Sequence, residues 1–381
     1  GTKTRISGSL IREEAVEAMV DASKSFVRIE DLQSRASEMI ADVTGADAGY
    51  VTSGASAGLV MAAAACIAGD DRDAMARLPE TEGIADEIVA PRTHRTGYDH
   101  ALRAAGATIV DVGSNDRHLG TGSRNTEPWE IEAAITDATA AIFYLEKAYT
   151  EPPLEVVTDI AHDHDVPVIV DAAAEVPPAS NLERFVDEGA DLVVFSGGKA
   201  IRGPQTTGIL AGRRDLVESV ALQHLDMHAA EDVWLPSGLV DTNALSGVPK
   251  QGIGRPLKVG KEELVGLMKA LELFVEEDHD EREAEWFERS KRVADGLKDE
   301  PSLSTHTTEA DKTAIAPEVT VSVDEEAAGI TTVELVRGLR EEDPRVFVGA
   351  DSLDVQEFTV NPMCMTDDEA SYVVERIRSY L

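Results

Sequence analysis

Positive charge is scarce in this sequence. Only 35 Lys and Arg face 72 Asp and Glu, leaving a formal net charge of −37. The acids are not gathered in a tail. They recur along the chain, as in EEDHDEREAEW (Glu276–Trp286) and at Glu341–Asp343, which reads as a solvated acidic surface of a folded chain. Such a surface repels itself unless salt screens it, so a salt-adapted protein from a halophile is expected. The same charge argues against a nucleic-acid partner, because phosphate binding needs a basic surface. Cysteine is nearly absent: Cys66 and Cys364 are the two present, both in apolar settings. That excludes a disulfide framework and a CxxC metal knuckle. Reduced thiols and no metal site are expected. Long apolar runs are also missing. Leu59–Ala68 is the longest, too short to span a bilayer. No signal-peptide pattern and no initiator Met are present. The expectations are a cytoplasmic protein, no membrane partner, and a start at Gly1 that is truncated upstream. Aromatics make up 4% of the residues, so the core must be built mostly from Ala, Val, Leu and Ile.

What is present is a βαβ rhythm. Strand patterns at Ala48–Thr52, Glu87–Pro91, Thr108–Val112, Ala140–Leu145, Val166–Val170 and Leu192–Phe195 alternate with helical patterns. Helices are expected at Ile11–Ser23, Ile29–Val43, Tyr98–Ala105, Pro128–Ile135, Leu154–His164 and Leu182–Glu188, with an Ala-rich helix running to Ile67. Fully apolar strands such as PVIVD and LVVFS imply a mostly parallel sheet covered on both faces. Past residue 260 the pattern changes. Long amphipathic helices at Lys261–Phe274 and Ala284–Leu297 precede strands at Val319–Val323 and Arg345–Val348, and helices at Thr332–Leu339 and Asp367–Tyr380. A large domain over 1–260 and a smaller C-terminal α+β domain over 261–381 are expected.

In an open α/β sheet, ligands bind beyond the carboxyl ends of the strands. The residues there are informative. Ala48–Thr52 runs into Ser53-Gly54-Ala55-Ser56-Ala57 and a helix, which offers free N–H groups and a positive dipole end to a phosphate. Glu87–Pro91 leads to His94, a flat side chain able to stack on a ring. Val166–Val170 ends in Asp171, a carboxylate able to pair with a protonated ring nitrogen. Leu192–Phe195 leads through Ser196-Gly197-Gly198 to Lys199, able to form an imine. Each piece alone has a structural alternative: a plain Gly/Ser/Ala turn, a surface histidine, a helix cap, a solvated lysine. Their order, each at a strand end, fits pyridoxal 5'-phosphate. The paired histidines in HDHD, His162 and His164, close a predicted helix and read as surface residues.

The segments DLVVFSGGKAIRGPQTTGILAGR and PVIVDAAAE resemble fold-type I pyridoxal-phosphate enzymes. Within these the chain is similar to the branch of bacterial selenocysteine synthase (L-seryl-tRNA selenium transferase) and the D-glucosaminate-6-phosphate ammonia-lyases. Further matches are EAMVDASKSFVRIEDLQ (Glu17–Gln33), THRTGYDHALRAAGA (Thr93–Ala107) and GIGRPLKVGKEE (Gly252–Glu263). The resemblance implies the fold-type I architecture, a seven-stranded-type sheet plus a small C-terminal domain. It implies Lys199 as the imine lysine, Asp171 as the pyridinium partner and His94 as the stacking residue. It also implies Ser196 and Gly54–Ala57 as cofactor contacts, and a homodimer or higher homo-oligomer with shared active sites. The Gly252–Lys258 segment would then be an arm into a neighbour's site.

The reaction that fits is α,β-elimination of water from an anionic 2-amino-3-hydroxy acid, such as D-glucosaminate 6-phosphate, followed by hydrolysis to a 2-keto-3-deoxy acid and ammonia. Anionic substrates need cations, and with so few available Arg202, Arg255, Lys258 and Lys261 stand out, with Gln205 in the same turn as Arg202; Lys261, in KEEL, also reads as a solvated charge at a helix start. The alternatives are seryl-tRNA selenium transfer, another pyridoxal-phosphate reaction (racemase, aldolase, aminotransferase), and a non-catalytic scaffold or tRNA-binding relative.

Overall fold

The computed structural model describes residues 3–113, 126–147, 150–225, 230, 233–234, 238–242, 252–308 and 316–381. The chain forms two compact units. One is Leu10–Glu276; the other joins Gly1–Ser9 to Glu277–Leu381. The division falls after Glu276, one helix beyond the expected 260/261 boundary.

The large unit is built on seven strands: β1 (Ala48–Thr52), β2 (Glu87–Pro91), β3 (Thr108–Val112), β4 (Thr139–Leu145), β5 (Val168–Asp171), β6 (Leu192–Ser196) and β7 (Gly208–Gly212). Their order is β1-β7-β6-β5-β4-β2-β3. All pairings are parallel except those of β7, which runs against both β6 and β1. This is the mostly parallel α/β sheet read from the sequence. Its strands are apolar on both sides because both faces are covered. Tyr50, Ile88, Phe143, Ile169, Val194 and Leu210 point into one core, together with the Ala-rich helix Ala55–Ala68. Val51, Val89, Ile142, Val168, Val193 and Ile209 point into the other, with Leu264, Leu267, Leu271 and Phe274 of the helix Lys261–Glu276. Helix Ala55–Ala68 is buried along nearly its whole length, and small Ala side chains let it lie close on the sheet.

β7 was not read as a strand, because GILAG carries glycine at both ends. In the small unit, an antiparallel sheet runs β10-β9-β8, with β8 at Leu303–Thr307, β9 at Val319–Val323 and β10 at Glu357–Val360. The strand expected at Arg345–Val348 is a correction. Val346 and Val348 are buried between exposed neighbours, which gives the period of a strand. A lone bridge at Gly349–Thr359 forms instead of a ladder, and β10 takes the place beside β9. Among the described residues, no helix is long and apolar enough to cross a membrane.

Candidate active site

The carboxyl ends of β1, β2, β5 and β6 carry the residues singled out from the sequence. β6 ends at Ser196, and the chain turns at once through Gly197 and Gly198 to Lys199. The turn is closed by Arg202 N–H to Lys199 O (3.1 Å), Gly203 N–H to Gly197 O (2.9 Å) and Gly197 N–H to Thr207 O (2.9 Å). A side chain at Gly198 would put its Cβ 2.6 Å from the Gln205 Cα, so the return of the loop onto itself requires glycine. Lys199 therefore stands on a locked turn at a strand end, with its side chain half-buried.

Asp171 ends β5, directly across from Leu145 of β4. It is 5% exposed, and its Oδ1 accepts the Ala173 N–H at 3.0 Å. Burial raises its pKa above the usual carboxylate value. The Ala173 N–H and the charges of Lys147 and Lys199 oppose that rise, and Glu175 adds to it. Both lysines thus act on this one carboxyl.

His94 follows β2 in a short 3-10 turn, Arg92–His94, and is 1% exposed. Its Nδ1 accepts the Leu145 N–H at 3.2 Å, and its ring meets Tyr144 edge-on at 4.8 Å. Burial pushes its pKa down to about 4, against the pull of the Glu151 carbonyl, so the imidazole is neutral at pH 7. Nε2 is buried without a well-aligned hydrogen-bond partner among the described residues.

The turn after β1 forms a candidate anion cradle. Gly54 adopts φ 101, ψ 160, and helix Ala55–Ala68 begins with no side-chain cap. The first-turn amides of Ala55, Ser56 and Ala57 have no partner one turn back in the helix. Gly208 of β7 lies against this turn and pairs with Thr52 on one side and Ser196 on the other. One strand therefore separates the cradle from the lysine turn. The buried acid beside a lysine, the neutral His94 ring and the uncapped helix start fit pyridoxal phosphate in these positions: Asp171 for the ring nitrogen, Lys199 for the aldehyde carbon, the cradle and Ser196 for the phosphate.

The expected substrate contacts divide. Arg202 has φ 60; its Nε donates to Leu10 O (3.2 Å) and its carbonyl accepts the Arg12 N–H (3.1 Å), which ties it to the N-terminal segment. Gln205 keeps a buried Oε1 without a hydrogen-bond partner among the described residues. Arg255 opens a 3-10 turn, Arg255–Leu257, and Lys258 is exposed. That turn packs beside the cradle of its own chain, because Leu257 O accepts both Ser53 Oγ (2.9 Å) and His224 Nε2 (3.0 Å). His162, read as a surface residue, pairs with Asp191 at 2.9 Å.

The family described as "SelA: L-seryl-tRNA selenium transferase" matches residues 2–232. The chain belongs to the SelA family. This is a family of fold-type I pyridoxal-phosphate enzymes, and the seven-stranded sheet agrees with that fold. Two curated relatives match along nearly the whole chain. A 5'-C-glycyluridine monooxygenase-decarboxylase from Streptomyces sp is 31% identical over 99% of this chain and 88% of its own. A D-glucosaminate-6-phosphate ammonia lyase from Salmonella typhimurium is 28% identical over 99% and 93%. A solved structure of D-glucosaminate-6-phosphate ammonia-lyase superposes with a TM-score of 0.81 at 28% identity, covering 100% of this chain and 94% of that one.

Sequence reading missed several neighbours of this SelA-family site. Lys147 pairs with Glu175, and Arg184 with Glu146 at 2.6 Å. Tyr50 OH meets His224 Nδ1 at 2.8 Å. The signal for Lys147 and Glu175 was present in EK just after β4 and DAAAE just after β5. Neither spacing marks a pair until the strands are set side by side.

Proposed function

We propose that this protein is a pyridoxal-phosphate-dependent ammonia-lyase acting on an anionic 2-amino-3-hydroxy acid such as D-glucosaminate 6-phosphate. The observation that carries the reading is the full-length likeness to D-glucosaminate-6-phosphate ammonia-lyase in both sequence and fold. The buried Asp171 at the end of β5, beside the strand β6 whose following turn carries Lys199, supports it. Bound pyridoxal phosphate supplies an electron sink for a carbanion at the substrate's α-carbon. Asp171, whose charged form the two lysines favour against burial, would hold the proton on the ring nitrogen. Lys199 would take the α-proton at Nζ once free of its covalent bond. The Ala55–Ala57 amides and Ser196 would hold the phosphate, and the neutral His94 ring would limit motion of the pyridine. Arg255, Lys258, Arg202 and Gln205 are the groups offered to the anionic ends of the substrate. Overall the C3 hydroxyl leaves as water, C3 gains a proton, and hydrolysis releases ammonia and the 2-keto-3-deoxy acid. The site is proposed to be completed in a homodimer or larger homo-oligomer. Incubation with D-glucosaminate 6-phosphate in high salt should release ammonia and keto acid in equal amounts. No turnover of it or of any other 2-amino-3-hydroxy acid rejects the reading.

A second reading is favoured by the 31% identity to the monooxygenase-decarboxylase. Such a reaction consumes oxygen and releases carbon dioxide. Substrate-dependent oxygen uptake would select it over the lyase. The −37 charge argues against a tRNA substrate.

A further inference from the structure

Two lysines act on Asp171, and the reaction above uses one of them. Lys147 lies two residues beyond Leu145, the residue paired with Asp171 across β4 and β5. The chain between is fixed to β5, since the Glu146 N–H donates to the Asp171 carbonyl at 3.1 Å. The Lys147 ammonium forms an ion pair with Glu175, whose side chain is 8% exposed. Glu175 is itself held in place. Its N–H donates to Ala172 O at 3.1 Å, and its carbonyl accepts Asn181 Nδ2 at 2.6 Å. A nearly buried carboxylate anchored at both ends of its residue leaves a lysine few other places to go, and an unpaired charge there would be costly.

We propose that Lys147, clamped by Glu175, is a positioning residue of the active site, a fixed positive charge that keeps Asp171 ionised and sets the proton affinity of the lysine-bound cofactor. This rests on the cofactor reading, not on the lyase reading. Among the described residues, the charged and titratable groups around Asp171 are Lys147 and Glu146 after β4, Glu175 after β5, Lys199 after β6, Arg184 bonded to Glu146, and His94 bonded to Leu145. His94 is neutral near pH 7. Glu146 and Arg184 neutralise one another. Lys147 and Glu175 are therefore the pair whose separate removal changes the charge felt at Asp171 and Lys199 in opposite senses.

That opposition gives the test. The visible absorbance band of the pyridoxal-phosphate-loaded enzyme is titrated with pH in wild type, Lys147→Met, Glu175→Gln, the double variant and Lys147→Arg. Loss of the Lys147 charge favours the protonated chromophore, so its midpoint should rise by roughly one pH unit for a charge at this range. Loss of the Glu175 charge should lower it. The double variant should return close to wild type, and Lys147→Arg should keep the wild-type midpoint. Thermal melting of each variant accompanies the titration. A purely structural pair would shift both single variants in the same direction, or change melting while leaving the midpoint in place. Either outcome overturns the proposal, as does a midpoint unmoved in Lys147→Met. A wild-type protein that forms no band at all rejects the cofactor reading as well. Absence of lyase turnover leaves the titration unaffected.

Discussion

Alanine at Gly208 would place a Cβ 2.5 Å from the Gly54 carbonyl carbon and 2.6 Å from the Ala55 nitrogen. Both are backbone atoms, so no rotamer change relieves the contact. Carbon atoms pack best at about 3.5–4.0 Å, and the cradle turn must therefore shift by roughly 1 Å. Gly208 cannot retreat easily, because it sits mid-sheet between Thr52 and Ser196. Overpacking of this kind costs about 1–3 kcal/mol of stability. The larger effect is expected on the cofactor. Losing one charged hydrogen bond to its phosphate, worth about 1.5–3 kcal/mol, weakens binding roughly 10- to 150-fold. Absorbance titration with pyridoxal phosphate measures this, and circular dichroism with thermal melting checks the fold. Gly212→Ala is the control for instability alone, since its Cβ would meet the Asp191 carbonyl oxygen at 1.9 Å at the other end of the same strand. Wild-type cofactor affinity in a folded Gly208→Ala variant would refute the placement of the phosphate. So would an equal loss of affinity in Gly212→Ala.

Two further outcomes are expected. The folded-state pKa of His94, about 4, lies below its ordinary 6.5, so the unfolded chain binds the extra proton between these values. Stability should fall as pH drops through that window. Between pH 7.5 and 5.5 wild type should lose about 1.3 kcal/mol more than His94→Gln in denaturant unfolding, and parallel losses would contradict the burial argument. The net charge of −37 should make the melting temperature rise from low salt to molar KCl as repulsion is screened; a maximum in low salt would count against salt adaptation.

The strands that carry the site were legible because each is short, wholly apolar and closed by polar residues. PVIVD and LVVFS show both the buried sheet and the position of Asp171 and Lys199. β7 was hidden because its glycines, needed for close approach to Gly54 and Asp191, look like loop residues. β8 was hidden because LSTHT is half-exposed along its length. At Arg345–Val348 the alternation of burial was legible, but burial alternation reports a covered face, not a hydrogen-bonded neighbour. The same limit applies to the site. Residues that touch the ligand through strand-end position could be picked out one strand at a time. Lys147, Glu175, Tyr50 and His224 act through partners distant in sequence, so their roles emerge only from the sheet order. Arg202 stood out as a scarce cation, yet its guanidinium is bonded to Leu10 O, a partner that no local pattern announces.

Borohydride reduction of the pyridoxal-phosphate-loaded protein, followed by peptide mass spectrometry, tests most directly whether Lys199 carries the cofactor. The reduced adduct should appear on the peptide containing Lys199 and vanish in Lys199→Ala. An adduct confined to Lys147, or none in a folded protein saturated with pyridoxal phosphate, would contradict the account.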